Sequence, residues 1–259
     1  MKITVFTSDK SRHNYLINYF SKISNELFVI QEFNENKTKI DSINSFSSNI
    51  LKKYFKKVEE AQIKIFGNNI NLPKKLKLLT IPSGDLNTYS LSSLSEFLNS
   101  DFYVVFGSSY IKGQLIEFLI EKKAINIHMG ILPFYRGADC NFWALYDNNP
   151  HLVGATIHIL SKGLDTGPIL YHAMSNIKTD PFLYTMSTVK SAIHSIAEKI
   201  ENESIYKITP FKQNKLKELR YSLKSDFTKE IVKKYFDKNI NLNSKKFDNL
   251  ILKEPFFLD

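Results

Sequence analysis

The stretch DFYVVFGSSYIKGQLIEFLIEKKAINIH, residues 101–128, decides the fold. Phe102, Tyr103, Val104, Val105 and Phe106 form an unbroken apolar run, which predicts a strand buried on both faces. Gly107, Ser108 and Ser109 break it. Residues 112–122 then repeat apolar positions at helical spacing, with Leu115, Ile116, Leu119 and Ile120 facing inward. Residues 124–128 read as the next strand, a strand-helix-strand unit complete in under thirty residues. Asn126 and His128 stand two apart on that last strand and therefore point to one side of the sheet.

Toward the amino terminus the same alternation is legible. Residues 2–7 predict a strand, and Ser8, Asp9, Lys10 and Ser11 a capping segment for a helix over 12–23. A second strand follows at 27–33, a long amphipathic helix at 50–66 ending at Gly67, Asn68 and Asn69, a strand at 76–81 and a helix at 90–98. Toward the carboxyl terminus come a helix containing Phe142, Trp143, Ala144 and Leu145, strands at 153–160 and 169–172, and a closing helix at 181–202. This order predicts an α/β fold: a Rossmann-like, mostly parallel sheet with helices on both faces and ligands beyond the carboxyl ends of the strands. Residues 1–203 form the expected catalytic domain, and 204–259 a small carboxyl-terminal extension. In that extension 216–223 reads as either strand or helix, and 229–236 as a helix begun by Asp226 or Thr228.

Composition narrows the function classes. With 259 residues, 43% of them hydrophobic, the chain can bury a sizeable core. It has no run of the roughly 18 apolar residues that would cross a bilayer and no signal-peptide core, so a cytoplasmic location and no membrane partner are expected. Cys140 is the only cysteine, which excludes an internal disulfide and a thiolate zinc cluster. Cys140 is read as core and not as a nucleophile. His151, His158, His172 and His194 lack metal-ligand spacing, so no metal is expected, and His158 and His172 read as structural members of strands. The net charge of +9 gathers in the tail, where thirteen Lys or Arg face five Asp or Glu between positions 207 and 253. A basic solvated surface explains it, and a nucleic-acid partner is disfavoured.

The chemistry concentrates between positions 126 and 167. An amine attacking a carboxyl-level carbon creates negative charge on oxygen, so the site needs donors aimed at that oxygen and an acceptor for the amine proton. Asn126 and His128 donate, and Asp165 accepts. Placed beside His128, Asp165 would favour the imidazolium and strengthen its hydrogen bond. At the end of the first strand, the start of a helix at Ser11, Arg12 and His13 offers backbone N–H groups and a guanidinium to a phosphate. A plain capped helix explains these residues equally well.

Asn126, His128, Leu132, Pro133, Tyr135, Arg136, Gly137, Trp143, the run Gly154-Ala155-Thr156-Ile157-His158 and the run Leu164-Asp165-Thr166-Gly167-Pro168-Ile169-Leu170 closely resemble the folate-dependent formyltransferase family. The resemblance covers residues 100–200 well, the first 35 in architecture, and 36–90 and the tail poorly. It implies 10-formyltetrahydrofolate as formyl donor. It makes Asn126 and His128 the groups that bind the formyl oxygen, and Asp165 the group that positions the imidazole or a water. It also implies a folate wall of Phe106, Gly107, Tyr110 and Ile111, with Leu160, Gly163 and Leu164 on the pterin side. Ser11, Arg12, His13, Tyr135 and Arg136 would hold the acceptor. Gly130 departs from the small hydroxyl residue of many members.

The tail is about half the size of a carboxyl-terminal tRNA-binding barrel, yet the chain runs past the simplest purine-pathway members. That intermediate size favours the sugar N-formyltransferases, and hence a nucleotide-linked amino sugar as small-molecule partner. A homodimer is compatible with the tail. Glycinamide ribonucleotide and methionyl-tRNA remain alternative acceptors, and an inactive binding module is the alternative of a different class.

Overall fold

A computed structural model describes residues 1–33, 48–68, 71–238, 240, 242 and 256–258; the predicted helix stop at Asn69 lies outside them. Strands β1 (Lys2–Ser8), β2 (Glu26–Phe33), β3 (Lys77–Pro82), β4 (Phe102–Phe106) and β5 (Ile125–His128) stand in the order β3-β2-β1-β4-β5, all parallel. Strand β7 (Ala155–Ile159) continues the sheet antiparallel to β5, β8 (Ile169–Ser175) lies antiparallel to β7, and β10 (Phe256–Leu258) closes the edge parallel to β8. Strands β6 (Tyr135–Gly137) and β9 (Arg220–Ser222) form a separate parallel pair.

Alternation along the strands explains the layers. Ile3, Val5, Val104 and Phe106 face the side covered by α1 (Ser11–Ile23), α2 (Asn49–Phe66) and α5 (Pro181–Glu201), while Phe6, Tyr103 and Val105 face α3 (Gly113–Glu121). From α1, Leu16, Ile17 and Phe20 are fully buried, as is Leu119 of α3, so each helix turns one apolar stripe to the sheet. The short helix α4 (Cys140–Tyr146) is buried over nearly its whole length.

Two expectations change, and the open ones in the tail are resolved. Residues 90–98 are turns ending in a single 3-10 turn at Ser95–Leu98, because Ser90 and Ser93 bond each other's backbone and side chains in place of a helical ladder. Helix α1 has Lys10 as its N-cap with no side-chain cap bond, although Ser8, Asp9 and Ser11 stand close by. The segment 216–223 resolves into one 3-10 turn and β9, and α6 (Lys229–Asp237) is capped by Thr228, whose hydroxyl accepts from the Ile231 N–H.

Described residues after 203 pack against the body. Val232 and Tyr235 of α6 are buried, and Tyr54 of α2 sits among the rings of Phe142, Phe182, Phe227 and Tyr235 at centroid distances of 5.1–6.0 Å. Such edge-on aromatic contacts add to the burial of their area. The predicted long helix and the tail thus share one aromatic cluster.

Candidate active site

The outward course β1→β2→β3 and the return to β4 place a crevice at the carboxyl ends of β1, β4 and β5. A cavity of about 490 Å³ occupies it, lined by the end of β4, the end of β5 and the loop that carries Asp165. Phe106, Gly107, Tyr110, Ile111, Asn126, His128, Leu160, Gly163, Leu164 and Asp165 all line it, as do Arg12 and His13. Ile111 is buried in the α3 side of the core, while Tyr110 and Leu164 are exposed at the mouth. The Tyr110 hydroxyl donates to the Lys162 carbonyl at 2.6 Å, joining the loop after β4 to the loop before Asp165.

His128 and Asp165 meet as an ion pair, Nδ1 to Oδ1 at 3.3 Å. The second ring nitrogen, Nε2, lies 3.2 Å from the Tyr135 carbonyl. Both nitrogens therefore face acceptors, an arrangement that suits the doubly protonated ring. Burial opposes the charge, but the Asp165 carboxylate, with the Cys140 sulfur adding to it, holds the His128 pKa well above 6.5. Burial likewise opposes ionisation of Asp165; His128, then His158 and the Gly137 N–H, outweigh it and keep the carboxyl below its ordinary range. Asp165 adopts a left-handed backbone, φ 52°, which aspartate tolerates better than most residues.

The strand pattern makes His158 structural, but its ring lines the cavity. Its Nδ1 lies 2.9 Å from the Ile159 carbonyl and donates to it, so Nε2 is the unprotonated nitrogen. Asn126 Nδ2 donates to that nitrogen at 2.9 Å. Burial lowers the His158 pKa to about 4, and the ring is neutral at physiological pH. The neutral ring thus fixes which way the Asn126 amide is turned, leaving its second N–H free to point elsewhere. The register of β5 against β7, which pairs Asn126 with His158, is the signal that a sequence cannot display. His172 does keep a structural place, its Nε2–H donating to the Leu132 carbonyl at 2.9 Å.

The other predicted positions divide. Arg12 donates to Gln62 Oε1 at 2.8 Å, and burial draws its pKa down to about 10. The Arg12 charge, then burial, draws Lys10 down to about 8. His13 Nδ1–H donates to Thr7 Oγ1 at 2.8 Å, which in turn donates to the Phe106 carbonyl, and burial holds this ring neutral. Ser11 is buried and does not line the cavity. Tyr135 and Arg136, expected on the substrate side, are not in the cavity wall either. Tyr135 alternates into the core at 1% exposure, where its hydroxyl meets Asp147 and Asn149, and Arg136 pairs with Glu218 at 2.8 Å. Gly130 has a physical reason: a Cβ there would stand 2.5 Å from Cys140 Cβ and 2.7 Å from His128 Nε2.

Gly137, Ala138, Ser222, Leu223 and Lys224 also line the cavity, so the tail contributes to a wall in a way that the sequence did not announce. Buried Glu32 accepts from the Gly84 N–H and from both the N–H and the hydroxyl of Ser109, pinning the loop after β4. Asn87 holds the same loop, donating to the Tyr110 carbonyl and accepting from the Lys112 N–H. Among the described residues no group of three His, Cys, Asp or Glu gathers as a metal site, and no helix is long and apolar enough to cross a membrane.

The arrangement offers an imidazolium, an oriented amide and a carboxylate at one end of an apolar slot. Those are the groups that acyl transfer to an amine requires. Comparison with solved structures supports the fold. An N-formyltransferase of Helicobacter canadensis aligns with a TM-score of 0.54 at 16% identity, covering 90% of this chain and 79% of that one. A phosphoribosylglycinamide formyltransferase of Anaplasma phagocytophilum aligns with a TM-score of 0.52 at 18% identity, covering 80% and 88%. Curated methionyl-tRNA formyltransferases match shorter stretches. That of Thermodesulfovibrio yellowstonii is 35% identical over 115 residues, 44% of this chain and 37% of the relative. That of Caldanaerobacter subterraneus is 32% identical over 137 residues, 53% and 43%. The matched part is thus less than half the length of these relatives. The family described as formyl transferase matches residues 1–205, which hold every catalytic candidate named above, and the chain belongs to that family.

Proposed function

We propose that the protein transfers a formyl group from 10-formyltetrahydrofolate to the amine of a small phosphate-bearing acceptor, a nucleotide-linked amino sugar. The buried His128–Asp165 pair beside the His158-oriented Asn126 carries the reading. The apolar wall from Phe106 to Ile111, with Leu160 and Leu164, suits a planar pterin. The cationic lining residues Arg12 and Lys224 suit an anionic acceptor. The acceptor nitrogen attacks the formyl carbon, and the new oxyanion receives the His128 Nε2–H, drawn from its long bond to the Tyr135 carbonyl, and the free Asn126 N–H. The carbon–nitrogen bond to the folate then breaks while the proton of the attacking amine passes, by way of Asp165 or a water, to the departing nitrogen.

The Helicobacter canadensis protein was solved with folinic acid and dTDP-3-aminofucose, which supports both the donor and the acceptor class. The curated methionyl-tRNA formyltransferases favour a second reading, in which the acceptor is methionyl-tRNA. One experiment separates them. The protein is incubated with 10-formyltetrahydrofolate and, in parallel, nucleotide-linked amino sugars, glycinamide ribonucleotide and methionyl-tRNA, and formylated products are read by mass. Formylation of the sugars alone is expected. Formylation of tRNA alone overturns the acceptor class, and no product with any amine overturns the activity.

A further inference from the structure

The stretch 211–224 follows the family-matched residues and touches the catalytic pair from two sides. On one side, the Gln213 amide donates to the carbonyls of Asp165 and Gly167, both at 2.8 Å. Phe211 anchors that amide by exchanging two backbone hydrogen bonds with Ile169, each 2.9 Å. The backbone that carries the Asp165 carboxylate is thus held by a tail side chain.

On the other side, β9 runs parallel to β6. Phe134 O accepts from the N–H groups of Leu219 and Arg220 at 2.9 and 3.1 Å, and Ser222 O accepts from Ala138 at 2.9 Å. The inner edge of β6 meets both reactive side chains: Tyr135 O faces His128 Nε2, and the Gly137 N–H donates to Asp165 Oδ2 at 3.3 Å. Strand β6 is therefore the backbone support of the pair, and β9 is what braces its outer edge. Gly137, at φ 97°, admits no side chain because a Cβ would collide with the Ser222 carbonyl.

Arg220 fastens the brace. Its guanidinium makes a forked pair with Asp147 at 2.9 and 2.7 Å and lies over the Trp143 ring at 4.3 Å. Asp147 also accepts from the Tyr135 hydroxyl, so the fork is linked through Asp147 to the residue whose carbonyl faces His128. Arg136 repeats the link with Glu218 and the Tyr221 ring. Bidentate, stacked geometry of this kind is specific to arginine.

We propose that residues 211–224 are a positioning element for the His128–Asp165 pair, acting through Gln213 on the Asp165 backbone and through Arg220 on β6. The proposal rests on the reading that this pair reacts, but its first test does not.

The test compares full-length wild type with Gln213→Leu, Arg220→Ala and Arg220→Lys. The first readout is the pH titration of the His128 ring by NMR, which needs no substrate. The groups that face the ring are Asp165 and Cys140, with His158 beyond Asp165. Losing the Arg220 charge would by itself raise the midpoint, so a fall reports displacement of Asp165 from the ring. We expect the midpoint to fall by about one unit in Gln213→Leu and Arg220→Ala, and by less in Arg220→Lys, which keeps the charge but not the fork. Formyl transfer should lose about 10- to 100-fold in kcat, with donor Kd unchanged. An unmoved midpoint in both Gln213→Leu and Arg220→Ala overturns the proposal, whether or not their melting temperatures fall. If the midpoint moves as expected but wild type formylates no amine, the positioning role stands and the functional reading falls.

Discussion

His128 Nδ1 stands 3.3 Å from Asp165 Oδ1, with only 7% and 9% of the two side chains exposed. An ion pair so nearly dry is worth more to a reaction than to folding, because burial raises the cost of each charge as it strengthens their attraction. Asp165→Asn should therefore return the His128 pKa toward or below 6.5 and leave the ring neutral at pH 7. Turnover should fall by about a hundredfold to a thousandfold, the loss expected when an oxyanion donor is removed. Steady-state formyl transfer and the His128 ring titration check the two halves, and an Asp165→Asn enzyme of unchanged kcat refutes the role.

The same pair sets a window of stability. His128 has a raised folded-state pKa, so its contribution is whole below 6.5 and is lost as pH rises through the raised value. Asp165 has a lowered one, so its contribution is present above 3.8 and is lost as pH falls through the lowered value. The melting-temperature difference between wild type and Asp165→Asn should thus be largest between pH 3.8 and 6.5 and shrink on both flanks. Thermal melts of both proteins across pH 3 to 10, in roughly unit steps, measure it. A difference that keeps growing above neutrality contradicts the pairing.

His158 should behave as the residue that aims Asn126. Asn126→Ala removes a donor and His158→Ala removes what orients it, so the double variant should lose little more than Asn126→Ala alone. The coupling expected for such hydrogen-bonded neighbours is on the order of 1 kcal/mol in transition-state free energy. A double-mutant cycle on kcat/KM reads it directly, and strict additivity would show that the 2.9 Å contact does not orient the amide.

Glu32 should matter to donor binding before it matters to chemistry. Its carboxylate accepts from Gly84 and Ser109, and Glu32→Gln turns an NH2 group toward one of those donors. Leaving a buried donor unpaired costs about 1–3 kcal/mol. The loop from Gly107 to Ile111 should loosen, and donor KM should rise about tenfold with kcat nearly unchanged. Folate titration by fluorescence, alongside turnover, distinguishes this from a general loss of fold.

The regular half of the molecule was readable because apolar runs and helical spacing report burial directly. Phe102 through Phe106 could only be an interior strand, and the two-residue step from Asn126 to His128 put both on one side before any contact was known. Pairing direction was not readable: 153–160 shows the same apolar run whether it lies parallel or antiparallel to β5. The motif at Tyr135 and Arg136 points to the acceptor in the sequence, but in the fold it secures β6 from behind and from the tail. Strand β9 is three residues without a hydrophobic pattern of its own, and it is a strand because β6 is beside it. Gln213 is one polar residue in a polar stretch, and only the loop it meets gives it a role.

The braces on the pair come from residues that follow everything they brace, with Ser222 reaching back 84 positions to Ala138. Contacts so distant in sequence close late, after the local strand-helix units have formed. The strand-helix units can therefore be formed while the reactive groups are still without their outer supports. Local assembly and competence become separate events on one chain, with the second waiting on a stretch that follows the closing helix.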